Sequence, residues 1–380
     1  MKIASACIYV LNVPFVQSFR HSLYERDHAD SIVVKLTADC GVSGFGEGVP
    51  RPYVTGETQD ESVRYIRNEL LPRIMCSNPG EINTGSALSL VNELLGARDS
   101  ESRIVWNASR CAVELAMVDC CFRARNISIA AVLPPRIQSV TYSGVITVGS
   151  SDKVKEAAER CRVAGFHFIK VKVSGPGDLE HVALVRDIMG PSASIRLDAN
   201  GAFDCHTAIP FLASAAKYGV ECIEQPIPRG NPAELAALKA DSPIPVMADE
   251  SLITIEDAKG LIDNRAVDYF NLRLSKCGGL HKTLAIAELA RSAGIGIQVG
   301  CQVGETAILS AAGRHLAAHL GNLSFVEGSY GTYLLMEDIS EEDISFGQGG
   351  KASVLTGIGL GVTVRERFLE RYAVTTIPVR

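Results

Sequence analysis

The sequence predicts an α/β protein. A (β/α)8 barrel of the TIM type occupies residues 135–355, an N-terminal α+β capping domain occupies 1–125, and the segment 356–380 returns to that capping domain. Three observations carry this. Eight short β-rich runs alternate with amphipathic helical stretches after residue 135. Polar residues recur where those runs end, at a nearly constant spacing. The first 125 residues place strands before helices.

In the N-terminal part, "KIASACIYVLNVPF" and "DSIVVKLTADCGVSGFGEG" read as strands. The polar segment between them, "VQSFRHSLYERDHA", reads as a loop, and the glycine-rich end of the second run reads as a turn. Helices follow in "DESVRYIRNELLPRI" and "SRCAVELAMVDCCFRAR", where apolar residues fall at i, i+3, i+4 and i+7.

The eight barrel runs are "VTYSGVIT", "FIKVKV", "ASIRLDAN", "VECIEQP", "IPVMADE", "VDYFNLRLSK", "GIGIQVGC" and "NLSFVEG". Helical patterns such as "SDKVKEAAERCRVAG" and "LHKTLAIAELARSAG" separate them, so the sheet is parallel. An open doubly wound sheet is the structural alternative. It would carry a GxGxxG turn after its first strand, and this sequence has none there.

Composition narrows the function classes. The chain has 380 residues, 47% hydrophobic and 21% charged, with a formal net charge of −6. That is enough apolar material for two domains. No basic tract with interleaved aromatics suggests a nucleic-acid partner. No apolar window reaches the roughly 18 residues of a membrane span, and the N-terminus lacks the sustained apolar stretch of a signal peptide. The eleven cysteines form no CxxC pair and no zinc spacing. They read as small core residues of a reduced, cytoplasmic protein.

On a barrel of this kind, working residues stand at the C-terminal ends of the strands. The polar residues there are Lys170, Lys172, Asp198, Asn200, Glu224, Asp249, Glu250 and Lys276. From Lys172 to Asp198, Glu224, Asp249 and Lys276 the steps are 26, 26, 25 and 27 residues. A step of that size is one strand, one helix and two short loops, so these residues become neighbours around one rim. Asp198, Glu224 and Asp249 then aim three carboxylates into one mouth, where they repel unless a hard cation joins them. Mg²⁺ suits such oxygens, with Mn²⁺ as the alternative. Lys172 and Lys276 offer bases on opposite faces of a bound substrate. Lys170 and Lys172 share a strand face, so each is expected to disfavour the other's charge and lower its pKa. Any one of these acids alone reads equally well as a solvated loop residue or a helix cap. Asn200 also reads as part of a plain turn, and Glu250 as an orienting neighbour.

The segments "KVK" at 170–172, "DAN" at 198–200, "EQP" at 224–226, "DES" at 249–251 and "SKCGG" at 275–279 resemble the enolase superfamily, and within it the muconate lactonizing enzyme subgroup. "GVSGFGEG" and "PYVTGET" resemble the capping domain of that family, and "GLGVTVRERFLERY" its C-terminal return. The resemblance implies that Asp198, Glu224 and Asp249 bind Mg²⁺ and that the metal holds a substrate carboxylate. It further implies that one lysine removes the neighbouring proton to give an enediolate. A small-molecule carboxylate is the expected partner, and a homo-oligomer the expected assembly. The mandelate racemase and sugar-acid dehydratase branches use a seventh-strand histidine, and "GIGIQVGCQVGE" has none.

Three reactions compete within the subgroup. They are muconate cycloisomerisation, dipeptide epimerisation, and N-succinylamino acid racemisation or o-succinylbenzoate synthesis. Dipeptide epimerases carry Asp-x-Asp after the eighth strand, whereas this chain has "FVEGSYG" with Glu327 alone. "EGSYGTYLLMEDI" and Glu305 look more like the cycloisomerases. The specificity loops near 16–30 and 50–57 contribute Arg20, His21, Tyr24, Arg26 and Tyr53. The two arginines suit a second carboxylate or are solvated loop charges. A barrel that only binds a carboxylate is the reading from another class, and the intact lysines speak against it.

Overall fold

The computed structural model describes residues 1–20, 25–76, 86–96 and 104–380. The capping sheet is antiparallel. Strand β1 (Ile3–Leu11) lies beside β4 (Ile32–Ala38), which lies beside β5 (Ser43–Gly48). The polar segment expected as a loop is instead a β-hairpin. Strands β2 (Val13–Arg20) and β3 (Glu25–Ala29) pair antiparallel, with Val13 opposite Ala29 and Arg20 opposite Glu25. Its outer edge is satisfied elsewhere in the chain: Val16 N–H donates to the Leu334 carbonyl, and Met336 N–H to that of Pro14. This edge pairing adds to the burial of Val13, Phe15 and Ala29 in the main apolar cluster, and together they hold the ribbon despite its polar tip.

Helices α1 (Gln59–Tyr65), α2 (Leu71–Cys76), α3 (Ala87–Leu94) and α4 (Asn107–Arg123) follow, with a π-turn between the first two. Helix α1 opens with a capping box between Thr58 and Glu61. Sixteen of the seventeen residues of α4 are buried. It is therefore buried around its whole circumference rather than along one stripe, with Arg110, Glu114 and Asp119 among the buried residues. The glycines of "GVSGFGEG" explain how it lies flat on β5. A Cβ at Gly44, Gly46 or Gly48 would come within 2.1 Å of an α4 backbone atom.

Beyond a short strand β6 (Ser139–Thr141) comes the barrel. Its strands are β7 (Gly144–Ile146), β8 (Phe168–Lys172), β9 (Ser194–Asp198), β10 (Val220–Glu224), β11 (Val246–Ala248), β12 (Tyr269–Leu272), β13 (Gly296–Val299) and β14 (Phe325–Val326). They form one eight-stranded sheet in sequential order, every neighbouring pair parallel. Ser143 N–H donates to the Val326 carbonyl, which brings the first and last strands together. Between the strands run α5 (Ser151–Val163), α6 (Leu179–Met189), α7 (Cys205–Ala215), α8 (Pro232–Asp241), α9 (Ile255–Asp263), the short α10 (Leu274–Cys277) with α11 (Leu280–Ser292), and α12 (Ala307–Leu320). After β14 the chain takes a 3₁₀ turn and strand β15 (Lys351–Ser353), which pairs with β6. Helix α13 (Glu366–Tyr372) leads to β16 (Ala373–Val379), which adds to the capping sheet antiparallel to β1.

One apolar cluster runs from Ile8 and Val34 of the capping sheet through Leu115 of α4 to Ile169 and Leu197 of the barrel. Two buried glutamates reinforce that junction. Glu114 of α4 accepts the Leu280 and His281 N–H groups at the start of α11. Glu47 of β5 accepts the Thr306 and Leu309 N–H groups at the start of α12. Each places an anionic-type acceptor where a helix N-terminus leaves unpaired donors. All eleven cysteines are unpaired. Among the described residues no helix is long and apolar enough to cross a membrane.

Candidate active site

A cavity of about 190 Å³ opens at the C-terminal ends of the barrel strands. Its polar wall comes from Lys170 and Lys172 of β8, Asn200 after β9, Glu250 after β11, Arg273 after β12, Gln302 after β13 and Glu327 after β14. The capping domain closes it with Gln17 of the hairpin and Tyr53 of the second loop.

Period-two alternation aims Lys170 and Lys172 the same way. Lys172 Nζ stands 2.6 Å from Asp198 Oδ2 and 2.6 Å from Asn200 Oδ1. Lys170 Nζ is more deeply held, 2.8 Å from Asp198, 2.9 Å from Glu224 and 3.1 Å from Glu327. The lowered pKa expected from two adjacent ammonium groups does not hold for Lys170. Burial opposes its charge, but the carboxylates of Asp198, Glu224 and Glu327 outweigh burial and hold it well above the usual lysine range.

Asp198, Glu224 and Asp249 have no exposed surface and lie beneath the cavity floor. Burial pushes each carboxyl upward. For Asp198 the Lys170 and Lys172 ammonium groups reverse this and hold it well below the usual range. For Asp249 the cations of Arg273 and Lys276 outweigh burial and lower it. Glu224 stays raised, because burial and the neighbouring carboxylates exceed the pull of Lys170. Its oxygens also accept from Asn271 Nδ2 at 2.7 Å and Gln298 Nε2 at 3.2 Å.

The positions of these groups are locked by their surroundings. Asn200 and Gln225 have φ of +45° and +39°, a conformation uncommon for residues other than glycine. Asn200 thereby turns back to touch Lys172 and, through Nδ2, Glu250 at 3.1 Å. The Gln225 side-chain oxygen accepts the N–H groups of Asp249 and Ser251, each at 3.0 Å. Burial, then the Asp249 charge, pushes Glu250 up to about 7.

The sixth strand differs from the expectation. Lys276 does not reach the cavity. It sits in α10 with no exposed surface, and its Nζ donates to the Asp249 carbonyl, Asp249 Oδ1 and the Asn271 carbonyl. The cation that faces the cavity from this strand is Arg273. Its Nη2 bridges Asp249 Oδ2 and Glu224 Oε1, and Nη1 donates to Gln302 Oε1 at 3.2 Å. The reason is geometric: β12 ends at Leu272, so Arg273 continues the inward alternation set by Asn271, and Lys276 lies a helical turn further on.

Among the other singled-out residues, Glu327 pairs with Lys170 and with Arg196, a second arginine that the strand-end pattern did not flag. Glu305 is half-buried outside the cavity wall and accepts the Gln302 N–H at 2.5 Å. Arg26 pairs with Asp30 at 2.6 Å, away from the cavity. Arg20 is the last residue of β2, and His21 and Tyr24 lie outside the described residues.

Among the described residues, no three His, Cys, Asp or Glu side chains are arranged to hold a metal ion as they stand. Lys170 bridges Asp198 and Glu224, and Arg273 bridges Glu224 and Asp249. The donor chemistry nonetheless fits a hard divalent cation, with three anionic oxygen groups at successive strand ends around one point. Such an ion would replace the two side-chain cations as the bridge.

A barrel with carboxylates and lysines on its rim, closed by a separate α+β domain, defines a capped-barrel enzyme. The chain belongs to the mandelate racemase/muconate lactonizing enzyme family of the enolase superfamily, and it is an isomerase of that superfamily. The family's N-terminal domain model matches residues 6–133, and the enolase C-terminal domain-like model matches 153–368. A hydrophobic dipeptide epimerase of Enterococcus faecalis is 30% identical over 331 residues, 85% of this chain and 89% of the relative. A chloromuconate cycloisomerase of Cupriavidus necator is 28% identical over 380 residues, 98% of this chain and 99% of that one. The crystal structure of a dipeptide epimerase from Cytophaga hutchinsonii, complexed with Mg and D-Ala-L-Val, superposes with a TM-score of 0.89. It is 25% identical, and the match covers 100% of both chains.

Proposed function

We propose that this chain is a metal-dependent cycloisomerase acting on an unsaturated carboxylate of the muconate type, with Asp198, Glu224 and Asp249 as the Mg²⁺ ligands. Lys172 is the group that exchanges the proton on the carbon beside the substrate carboxylate. The observation that carries this reading is the position of Lys172 Nζ, in the cavity wall and hydrogen-bonded to both Asp198 and Asn200.

The metal, when bound, stabilises the negative charge that develops on the substrate carboxylate. The chain's own residues do the rest. Lys170 keeps its charge among three carboxylates and fixes Asp198 and Glu224 in place. Asn200 holds the Lys172 ammonium on its other side. In lactone formation, an oxygen of one substrate carboxylate adds across the double bond. The displaced electron pair passes toward the other carboxylate, and Lys172 delivers the proton to the carbon beside it. The hairpin and Tyr53 side of the cavity excludes water from that step.

The epimerase reading has a relative at 30% identity in its favour. The rim after β14 favours the cycloisomerase. Its acid, Glu327, is taken up by Lys170 and Arg196 rather than free for a substrate ammonium group. The deciding experiment incubates the protein with Mg²⁺ in D₂O, with cis,cis-muconate and a set of dipeptides and N-acylamino acids. A monodeuterated lactone supports the reading; deuterium gained by an amino-acid derivative of unchanged composition overturns it.

A further inference from the structure

A second set of polar residues stands on the same rim, outside the cavity. Strands β7 and β8 end at the C-terminal face of the barrel, where Thr147 and Lys172 line the cavity. The loops that follow lead to three further residues, none of them in the cavity wall. Ser151 is the first residue of α5, Asp178 ends the 3₁₀ turn before α6, and His181 lies in the first turn of α6.

Their side chains join in one line. His181 Nδ1 is 3.1 Å from Asp178 Oδ1, and His181 Nε2 is 3.4 Å from Ser151 Oγ. The other oxygen of Asp178 accepts the Ser174 N–H at 2.6 Å and the Ser174 hydroxyl at 2.9 Å. Asp178 is therefore buried and fixed, with one oxygen left for the imidazole. An imidazole that donates its Nδ1–H to a carboxylate keeps its free lone pair on Nε2, the atom that faces Ser151. Hydroxyl to Nε2 and Nδ1 to carboxylate is the order of a nucleophile, its base and an orienting acid. At 3.4 Å the first of these contacts is long, as contacts to a general base commonly are before substrate binds.

The surroundings suit that chemistry. Ser151 is exposed and His181 half-buried, so a substrate meets them from solvent. The N–H groups in the first turn of α5 have no acceptor within the helix, and Ser150 at the N-cap makes no side-chain bond to them. The N–H of Asp152, directly after the serine and at the start of a helix, is the kind of donor that steadies an oxyanion. A capping role accounts for Asp178 and Ser174. It does not require an imidazole between that acid and an exposed hydroxyl.

We infer that Ser151, His181 and Asp178 form a second site, a serine-hydrolase triad that cleaves small carboxylic esters without a metal. Ser151 Oγ bonds to the ester carbonyl carbon as its proton passes to His181 Nε2. The bond from that carbon to the alcohol oxygen breaks, and the alcohol leaves with the proton, so the acyl group stays on Ser151. Water then adds to the acyl carbon and gives a proton to His181. The acid departs as Ser151 takes that proton back. Water is the only co-reactant, and the site shares no residue with the isomerase cavity.

The test uses the full chain with EDTA present, so its result is independent of the metal-dependent reading. Hydrolysis of p-nitrophenyl acetate is followed at neutral pH. In parallel a fluorophosphonate probe is added, and its point of attachment is mapped by mass spectrometry. Wild type is expected to release nitrophenolate and to carry the phosphonyl group on Ser151. Ser151→Ala is expected to lose both, while Ser150→Ala, one residue away, keeps both. His181→Gln is expected to lose roughly 10²–10⁴-fold in hydrolysis, the range for a positioned general base. Asp178→Asn is expected to lose a comparable factor, because an amide there lets the imidazole take the wrong tautomer. Circular dichroism checks that each variant is folded. Hydrolysis in Ser151→Ala as fast as in wild type overturns the triad, as does an adduct that forms on another residue or forms equally fast in His181→Gln. Wild type that neither hydrolyses the ester nor takes the label overturns it as well.

Discussion

Lys172 and Asp198 are register partners across β8 and β9, and their side chains meet at 2.6 Å on the cavity side of that pair. The strand pairing therefore fixes the distance between the amine proposed to exchange the proton and the nearest candidate metal ligand. Lys172→Ala is expected to lose roughly 10²–10⁴-fold in kcat, the range for a positioned general acid or base. Lys172→Arg is expected to lose as much, since a guanidinium keeps the charge but exchanges no proton. Circular dichroism should show both variants folded. Turnover within threefold of wild type in either would remove Lys172 from the mechanism.

Asp249 pairs with both Arg273 and Lys276, and none of the three reaches 10% exposure. Asp249→Asn leaves two buried cations with one fewer counter-charge, and breaking such pairs costs about 3–5 kcal/mol. The same change removes a candidate metal ligand. Lowered thermal stability and lost Mg²⁺ binding by calorimetry are both expected, with turnover reduced to the level reached by chelation. Asp198→Asn and Glu224→Gln should behave alike. A variant that binds Mg²⁺ with unchanged affinity would take its residue out of the ligand set.

The strand-end acids were legible because one strand, one helix and two loops have a nearly fixed length, so a period of about 26 residues marks the rim. Following the same period led past the end of the sixth strand. It pointed to Lys276, whereas the inward alternation from Asn271 leads to Arg273. The bridging of the three carboxylates by Lys170 and Arg273 depends on side-chain packing between strands, which no linear spacing records. The hairpin escaped notice for a related reason. Of its described residues only Val13, Phe15 and Ala29 are buried in the core, and its edge is held by hydrogen bonds to Leu334 and Met336, far away in sequence. Helix α8 has a weakly segregated pattern, "PAELAALKAD", and its clear signal is the cap, with Asn231 accepting from Ala233 N–H ahead of Pro232.

His315 offers a pH test of the junction between α12 and the C-terminal segment. It is 3% exposed, and its Nε2 lies 3.1 Å from the Leu360 carbonyl. Burial, followed by the nearby Arg314 charge, lowers it from 6.5 to about 4, against the opposing pull of that carbonyl. Between pH 6.5 and 4 the unfolded chain binds a proton here that the folded protein does not. Stability from this group is thus complete above pH 6.5 and lost as pH falls toward 4, by about 3 kcal/mol. Thermal unfolding of wild type and His315→Gln should show the wild type losing more on going from pH 7 to pH 4. Parallel pH curves for the two proteins would show that His315 titrates normally in the folded state.

Two glycine-to-alanine changes should move stability in opposite directions. A Cβ at Gly46 would lie 2.1 Å from the Ala112 carbonyl oxygen and 2.3 Å from the Ala116 nitrogen, both backbone atoms of α4. Neither can step aside without lifting the helix off β5, so Gly46→Ala is expected to cost about 3 kcal/mol or more. Gly313 lies inside α12, and beyond the backbone of its own helix no atom of the described residues comes within 4 Å of its would-be Cβ; its φ is not in the left-handed region. There the substitution removes the entropic cost of glycine in a helix, a gain of about 0.5–1 kcal/mol. Denaturant unfolding of the two variants beside wild type reads both signs at once. A Gly46→Ala protein as stable as wild type would show that α4 does not rest directly on the glycine face of β5. The junction between the capping domain and the barrel would then depend on the buried Glu47 and Glu114 contacts instead.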